Sequence, residues 1–305
     1  MHVVSAFYHF STVKNPKEIR LKILQKGDDL DIMGAILLGK EGINGTISGS
    51  NESINEMMKF INTIDEFNGF NFKLSKCDEC PFYRFRVKLK KEIVTIGIES
   101  VNPRKKVGEY ISPENWNNLI SDPDTILIDT RNDFEYKTGT FKGSINPETK
   151  TFRDFPNFVQ KNLLSKKKHK IAMFCTGGIR CEKASSYMLG EGFENVYHLD
   201  GGILNYLEKV DKYNSMWEGN CFVFDRRTAL SHDLEEIGFK QCPSCSNPLS
   251  NEDQLNEKYE KGVKCHNCSD KISDKRLESL RQRHMQILIS KKNGEKHIGR
   301  KISKS

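Results

Sequence analysis

Nowhere in this chain of 305 residues do as many as about eighteen apolar residues run together, so no membrane-spanning helix is expected. The opening stretch, Met1–Phe10, has no basic n-region and is broken by His2 and His9, which argues against a secretory leader. No internal repeat is visible. No flavin or haem fingerprint occurs, and no His/carboxylate set reads as an iron site. The hydrophobic share is low, 36%, and the charged share, 29%, a little high. Apolar runs nonetheless recur from end to end, so disorder throughout is excluded. Cysteine is not scarce: the nine cysteines include several C-x-x-C pairs. Without an export signal they point to a reducing, cytoplasmic setting, where they serve metal or redox chemistry rather than a disulfide framework.

The net charge of +7 is unevenly spread, because residues 271–305 hold eleven Lys/Arg against three Asp/Glu. A basic tail on a near-neutral body suits a polyanion such as RNA, or serves solubility alone. The patterning predicts an α/β and α+β multidomain protein. Residues 1–105 alternate strand, helix, strand, strand, helix, strand. The strands are Val3–Phe10, Met33–Leu38, Gly42–Ser48, and then Tyr83–Val87 and Ile93–Ile98. The helices are Lys17–Gln25 and Ser53–Ile64. That order is a ferredoxin-like (acylphosphatase-like) sandwich. Residues 106–214 read as an α/β domain with a mostly parallel sheet, from the strands Thr125–Ile128, Ile171–Phe174 and Val196–Leu199 with helical stretches between. Residues 215–290 form a small Cys-rich region, and 291–305 a basic tail.

The segment Cys175-Thr176-Gly177-Gly178-Ile179-Arg180 leaves an apolar strand and runs into a helix-like stretch beginning near Cys181. Such a turn converges backbone N–H groups and a positive helix end on the sulfur, and Arg180 adds a fixed charge. These surroundings lower a thiol's pKa and stabilise a thiolate or persulfide, although a buried cysteine at a strand end would look similar. Asp129 and Arg131 end a neighbouring strand, as active-site support or as a structural ion pair. Glu135, Gly139, Gly143 and Asn146 follow. Cys181 is either a resolving thiol or a core residue.

Cys242-x2-Cys245 and Cys265-x2-Cys268, nineteen residues apart, match a zinc ribbon with four thiolate ligands. A closed site of this kind is structural, since no ligand position stays open for catalysis. Cys77-x2-Cys80 is a weaker signal, and Cys221 reads as packing. Tyr83, Arg84, Phe85, Arg86, Lys88, Lys90 and Lys91 interleave aromatic and basic side chains. On an alternating strand they make either a face for single-stranded RNA or an ordinary charged outer face.

The cysteine loop together with Asp129–Asn146 resembles the rhodanese domain. The six-residue span from Cys175 to Arg180 has the loop length of sulfur-handling rhodaneses rather than the longer loop of related phosphatases. One departure is Thr140 after Gly139, where a histidine often stands. Across the chain, Lys40–Ser48, Lys88–Gly97, Val101–Ser112, Asp129–Asn146, Cys175–Ser185, Phe193–Leu207, Cys221–Arg226 and the two knuckles resemble the rhodanese-domain tRNA uridine hydroxylases. These are oxidoreductases that form 5-hydroxyuridine at the wobble position. The resemblance implies Cys175 as the catalytic cysteine, described as a persulfide intermediate. It further implies molecular oxygen as co-substrate, tRNA (its anticodon region) as partner, an unidentified electron donor and no membrane. The residues leave two routes open, addition of the Cys175 thiolate to C6 of uridine or a Cys175 persulfide or sulfenate as redox species. A persulfide sulfurtransferase acting on small thiols or a protein acceptor, and a non-catalytic RNA-binding adaptor, are the competing functions.

Overall fold

The computed structural model describes residues 1–294. Residues 1–222 and 230–235 form one compact unit, while 223–229 and the described residues from 236 to 294 form a second. No helix of the described residues is long and apolar enough to cross a membrane.

The first unit opens with β1 (His2–Phe10), α1 (Pro16–Asp29), β2 (Met33–Gly39), β3 (Gly42–Gly49), α2 (Asn51–Asn62), β4 (Phe72–Cys77) and β5 (Phe85–Leu89). The sheet order is β4-β1-β3-β2-β5, a ferredoxin-like sandwich with one strand added at its edge. Proline in the first turn starts α1, and the Ser50 side chain caps α2 by accepting from Ser53 N at 3.0 Å. Ile54, Met57, Met58 and Ile61 then fall on one face of α2 and are buried with Ile19, Ile23, Ile36 and Ile47. Helical spacing on the helices and alternation on the strands thus deliver one shared core.

The closing strands differ from the sequence expectation. The strand that completes the sandwich is β4, whose register runs antiparallel to β1 from His2↔Cys77 to Phe7↔Phe72. β5 instead pairs in parallel with β2. Ile93–Ile98 is not a strand, although Ile93 and Ile96 are buried. Carboxylates take the place of a ladder there. Glu41 Oε1 accepts from Ile93 N at 2.6 Å, and the Glu92 carboxylate accepts from Ile96 N and Gly97 N, both at 3.1 Å. An apolar alternation reports burial, and these main-chain donors are answered without a neighbouring strand.

A four-stranded sheet follows, built from β6 (Glu109–Ile111), β7 (Thr125–Asp129), β9 (Lys170–Phe174) and β10 (Asn195–Leu199). Its order is β6-β10-β9-β7 and every pairing is parallel. β6 is a three-residue edge strand with no apolar period to announce it. Helices α3 (Pro113–Ile120), α4 (Asp133–Thr138), α5 (Phe155–Asn162), α6 (Ile179–Gly190) and α7 (Gly202–Lys209) accompany the strands. One core holds Ile128, Ile171, Met173, Ala184 and Met188, and also takes Ile96. The other holds Trp116, Leu127, Phe141, Phe174, Ile203 and Tyr206. β8 (Gly139–Phe141) pairs antiparallel with β11 (Trp217–Gly219) beside it.

The second unit has little regular structure. Lys240–Gln241 and Pro248–Leu249 form a two-stranded ladder, and α8 (Asp274–Lys292) is capped by Ser273. Glu260 accepts from both nitrogens of Arg281, at 2.7 and 2.8 Å. The basic tail expected over 291–305 begins inside α8, and its residues 295–305 lie outside the described residues.

Candidate active site

Cys175 follows β9 at the carboxyl end of the parallel sheet, where an α/β fold presents reactive groups. Its sulfur is fully buried and accepts from Gly178 N at 3.1 Å. Burial alone would push the thiol pKa up. A hydrogen bond from the Cys181 thiol, the Arg180 charge and the N–H groups of Cys181 and Arg180 outweigh it, bringing Cys175 down to about 6. Cys175 is therefore a thiolate at neutral pH. Burial, followed by the neighbouring Cys175, drives Cys181 in the opposite direction, well above an ordinary thiol. Cys181 thus stays a protonated thiol, a poor attacking group, and its sulfur lies 3.5 Å from Thr130 Oγ1.

The loop is held from behind by α7. Ile203 N donates to Cys175 O at 2.9 Å and Leu204 N to Thr176 O at 3.1 Å. This approach needs glycine at 202, where φ is +68° and a Cβ would lie 2.5 Å from Cys175 O and 2.7 Å from Gly178 N. Gly202→Ala is expected to cost at least about 2 kcal/mol from left-handed strain and this clash. The measurements are the denaturant midpoint and Cys175 alkylation, and unchanged values for both would contradict the packing described. Above Gly177 there is open space, with no atom within 4 Å of where a Cβ would stand.

Arg180 lies in the first turn of α6, and its guanidinium is bidentate to Glu135 of α4, at 2.7 and 2.9 Å. Arg180 also donates to Thr176 Oγ1 at 3.2 Å. Glu135 is fully buried. Burial works to raise its pKa, but Arg180 above all, with Arg131 and the Asn132 N–H, holds it below the usual carboxylate range. Glu135 thereby fixes the guanidinium beside the sulfur.

Asp129 and Arg131 do not join this cradle through any hydrogen bond to the loop. They form a fully buried ion pair with contacts of 2.6 and 2.9 Å. Arg131 also donates to Gly139 O at 2.6 Å and lies over the Trp217 ring at 5.2 Å. Thr140 Oγ1 donates to Asp129 Oδ2 at 3.1 Å. The pair therefore ties the end of β7 to β8, and Thr140 has a hydrogen-bonding role there that needs no histidine. Cys221 is buried and its thiol is pushed up to about 12, first by burial. Cys77 is buried at the end of β4, and Cys80 is half-buried three residues on.

The structure adds four residues that the sequence does not flag. Tyr8 on β1 reaches across to α6 and donates to Glu182 Oε1 at 2.8 Å. A Cβ on Gly178, whose φ is +100°, would meet the Tyr8 hydroxyl at 2.8 Å. Tyr110 on β6 lies close enough to influence the ionisation of Glu182, and its ring centroid is 4.2 Å from that of His198. Next along α6, Lys183 is almost fully buried between Glu92, at 2.6 Å, and Glu41, at 2.9 Å. Nothing local marks these residues. Tyr8 reads as a strand residue and Glu182 as an acid in a helix's first turn.

The basic-aromatic strand is divided between two faces. Phe85 packs inward, where the absent side chain of Gly27 makes room for its ring, while Arg86 and Lys88 face solvent. Within β5 the aromatic side chain is therefore not available for stacking on the charged face.

In the second unit, the sulfurs of Cys242, Cys245, Cys265 and Cys268 all lie within 4.8 Å of one another. The separations of 3.9 Å (Cys242–Cys268), 3.6 Å (Cys245–Cys265) and 3.9 Å (Cys265–Cys268) match the edge of roughly 3.8 Å expected for a tetrahedron of thiolates around zinc. Asn247 Nδ2 donates to Cys245 Sγ at 3.2 Å, a second tier of support. The cluster could hold a structural metal such as zinc.

Residues 2–93 match the family model described as the UPF0176 acylphosphatase like domain, and residues 112–209 match the Rhodanese-like domain. Among solved structures, the chain is similar to the rhodanese-like domain of an Anabaena sp. protein. The identity is 19%, over 36% of this chain and 78% of that one, with a TM-score of 0.31. A rhodanese-related protein from Thermoplasma volcanium is 22% identical over 33% of this chain and 92% of that one, with a TM-score of 0.27. The chain thus joins a UPF0176 acylphosphatase-like domain to a rhodanese-like domain, a combination consistent with the UPF0176 rhodanese-domain family.

Proposed function

We propose that this protein is a tRNA uridine hydroxylase that forms 5-hydroxyuridine at the wobble position, with Cys175 as the reacting sulfur and molecular oxygen as co-substrate. The observation that carries the reading is the cradle that keeps Cys175 ionised, with its thiol pKa near 6, beside open space at Gly177. A pyrimidine C5 is a poor nucleophile until a thiolate adds to C6. That addition moves the ring's π electrons towards C5, where activated oxygen can be met. One oxygen atom then enters at C5, and an external two-electron donor reduces the other to water. Support also comes from the resemblance to such hydroxylases along most of the chain. Exposed Arg84, Arg86, Lys88, Lys90 and Lys91 give a strip for phosphates. The same proposal makes this a cytoplasmic enzyme, with tRNA as partner and no membrane.

The test is nucleoside mass spectrometry on tRNA from cells lacking the protein, complemented with wild type or with Cys175→Ala. Wild type is expected to restore 5-hydroxyuridine and its derivatives, and Cys175→Ala to leave them absent. Restoration by Cys175→Ala would remove the cysteine from the chemistry. A deletion that leaves these nucleosides unchanged would turn attention to sulfur transfer from thiosulfate.

A further inference from the structure

Thiolate addition to a uracil ring has a requirement that the loop itself does not meet. When sulfur bonds to C6, the C5=C6 electron pair moves to C5 and must be able to take a proton. When sulfur leaves, a base must remove a proton from C5 so that the pair can re-form the double bond. Gly177, Gly178 and Ile179 carry no titratable group. Arg180 stays cationic and is bound to Glu135. Asp129 is bound to Arg131, and Thr140 stands where a histidine would offer a proton. Glu182 remains. It sits in the first turn of the helix that starts the cradle, half-buried, and its charge is felt by Tyr8, Tyr110, Asp200 and Cys175.

We propose that Glu182 is the group that moves the proton at C5 of the uracil ring, and that Tyr8 positions it. The proposal rests on the hydroxylase reading for its substrate. Two geometric facts carry it. Tyr8 comes from the first domain and donates to Glu182 Oε1 at 2.8 Å. The same hydroxyl occupies the space over Gly178 that a side chain would fill, so the carboxylate–phenol pair stands against the Cys175 loop. A phenol from the first domain therefore holds a carboxyl of the second beside one thiolate, an arrangement with no evident need if Glu182 only capped its helix.

Burial, more than any other cause, raises the Glu182 pKa, and the Cys175 charge adds to it, while the two phenols work to lower it. Both phenols are themselves pushed up, first by burial, so they stay protonated, and Tyr8 acts as the donor. A carboxyl moved upward from the ordinary range gives and takes a proton more readily than one left there. The step is redox-neutral. The sulfur–C6 bond forms as the C5=C6 pair takes the Glu182 proton, leaving a carboxylate. In reverse, the carboxylate takes a proton from C5, the double bond returns and Cys175 leaves as thiolate. Once C5 carries a hydroxyl, the same elimination removes its remaining hydrogen and releases the product.

Because no oxidant is needed, the proton step can be observed without oxygen. The full-length protein is incubated anaerobically in deuterium oxide with tRNA bearing a wobble uridine, and deuterium at C5 is read by mass spectrometry. Wild type is expected to exchange this hydrogen and Cys175→Ser not to. Glu182→Gln is expected to lose at least about a hundredfold in exchange rate while Cys175 is still alkylated as in wild type, which reports an intact loop. Tyr8→Phe should slow exchange less and displace its pH profile. Glu182→Asp, which keeps an acid, should recover part of the rate and guards against a glutamine variant that fails to fold. Exchange by Glu182→Gln at the wild-type rate overturns the proposal. So does a wild type that hydroxylates tRNA yet never exchanges C5. Failure of the hydroxylase reading is scored separately, by the absence of 5-hydroxyuridine in complemented cells.

Discussion

Arg180→Leu is expected to destabilise the protein by about 3–5 kcal/mol at neutral pH, the usual cost of removing one partner from a buried ion pair. Glu135 is fully buried, and Arg180 holds its carboxylate through two charge-assisted bonds. In the wild type the folded-state pKa of Glu135 lies below its ordinary 4.5. The pair's contribution is thus fully present above that value and is lost as pH falls through the folded pKa. In the variant the sign reverses. Burial, less opposed, raises the folded pKa, so the carboxyl is tolerated at acid pH and its cost grows as pH rises. Denaturant melts across pH should show the gap between variant and wild type narrowing as the medium becomes acidic. The same substitution removes a positive charge from beside Cys175. The pH at half-maximal alkylation should therefore move upward from about 6. A variant with wild-type stability and an unmoved alkylation profile would contradict the role assigned to this residue.

The second large effect concerns metal removal. The second unit has a core made chiefly of the four cysteines with Leu249 and Tyr259, too small to fold on apolar burial alone. Metal ligation in small zinc modules contributes about 10–16 kcal/mol at neutral pH. The purified chain is expected to carry a bound zinc ion released by Cys265→Ser. A strong chelator should erase hydrogen-exchange protection around the two knuckles, and added zinc should restore it. Protection that persists after complete chelation would show that the thiols fold the unit without a metal.

The limits of the sequence are seen in particular residues. The cysteine turn is legible because its components are contiguous: a strand end, two glycines, and a helix start whose N–H groups meet the sulfur. The knuckles are legible because ligand spacing is a local constraint. Tyr8 and Glu182 stand 174 residues apart, and no local pattern joins them; only the packing of one domain on another does. Phe85 is lost as a stacking residue because Gly27, far away on α1, opens a slot for it. Ile93–Ile98 has the composition of a strand because Ile93 and Ile96 are buried, while Glu41 and Glu92 supply the acceptors a sheet would have supplied. For Asp129 and Arg131, the sequence leaves support and structure open. Their contacts are those of an interior clamp.

Lys183, enclosed by Glu41 and Glu92, divides the protein's response to ionic strength in two. Counter-ions screen charges they can approach, over about 8–10 Å at ordinary salt, and reach buried pairs far less. Arg86 and Lys88, out in solvent, would surrender a bound polyanion steeply as salt rises. The lysine between the domains, with only 1% of its side chain exposed, would keep its partners under the same conditions. If tRNA is bound as proposed, a salt wash should therefore strip it while leaving Tyr8 seated over the Cys175 loop.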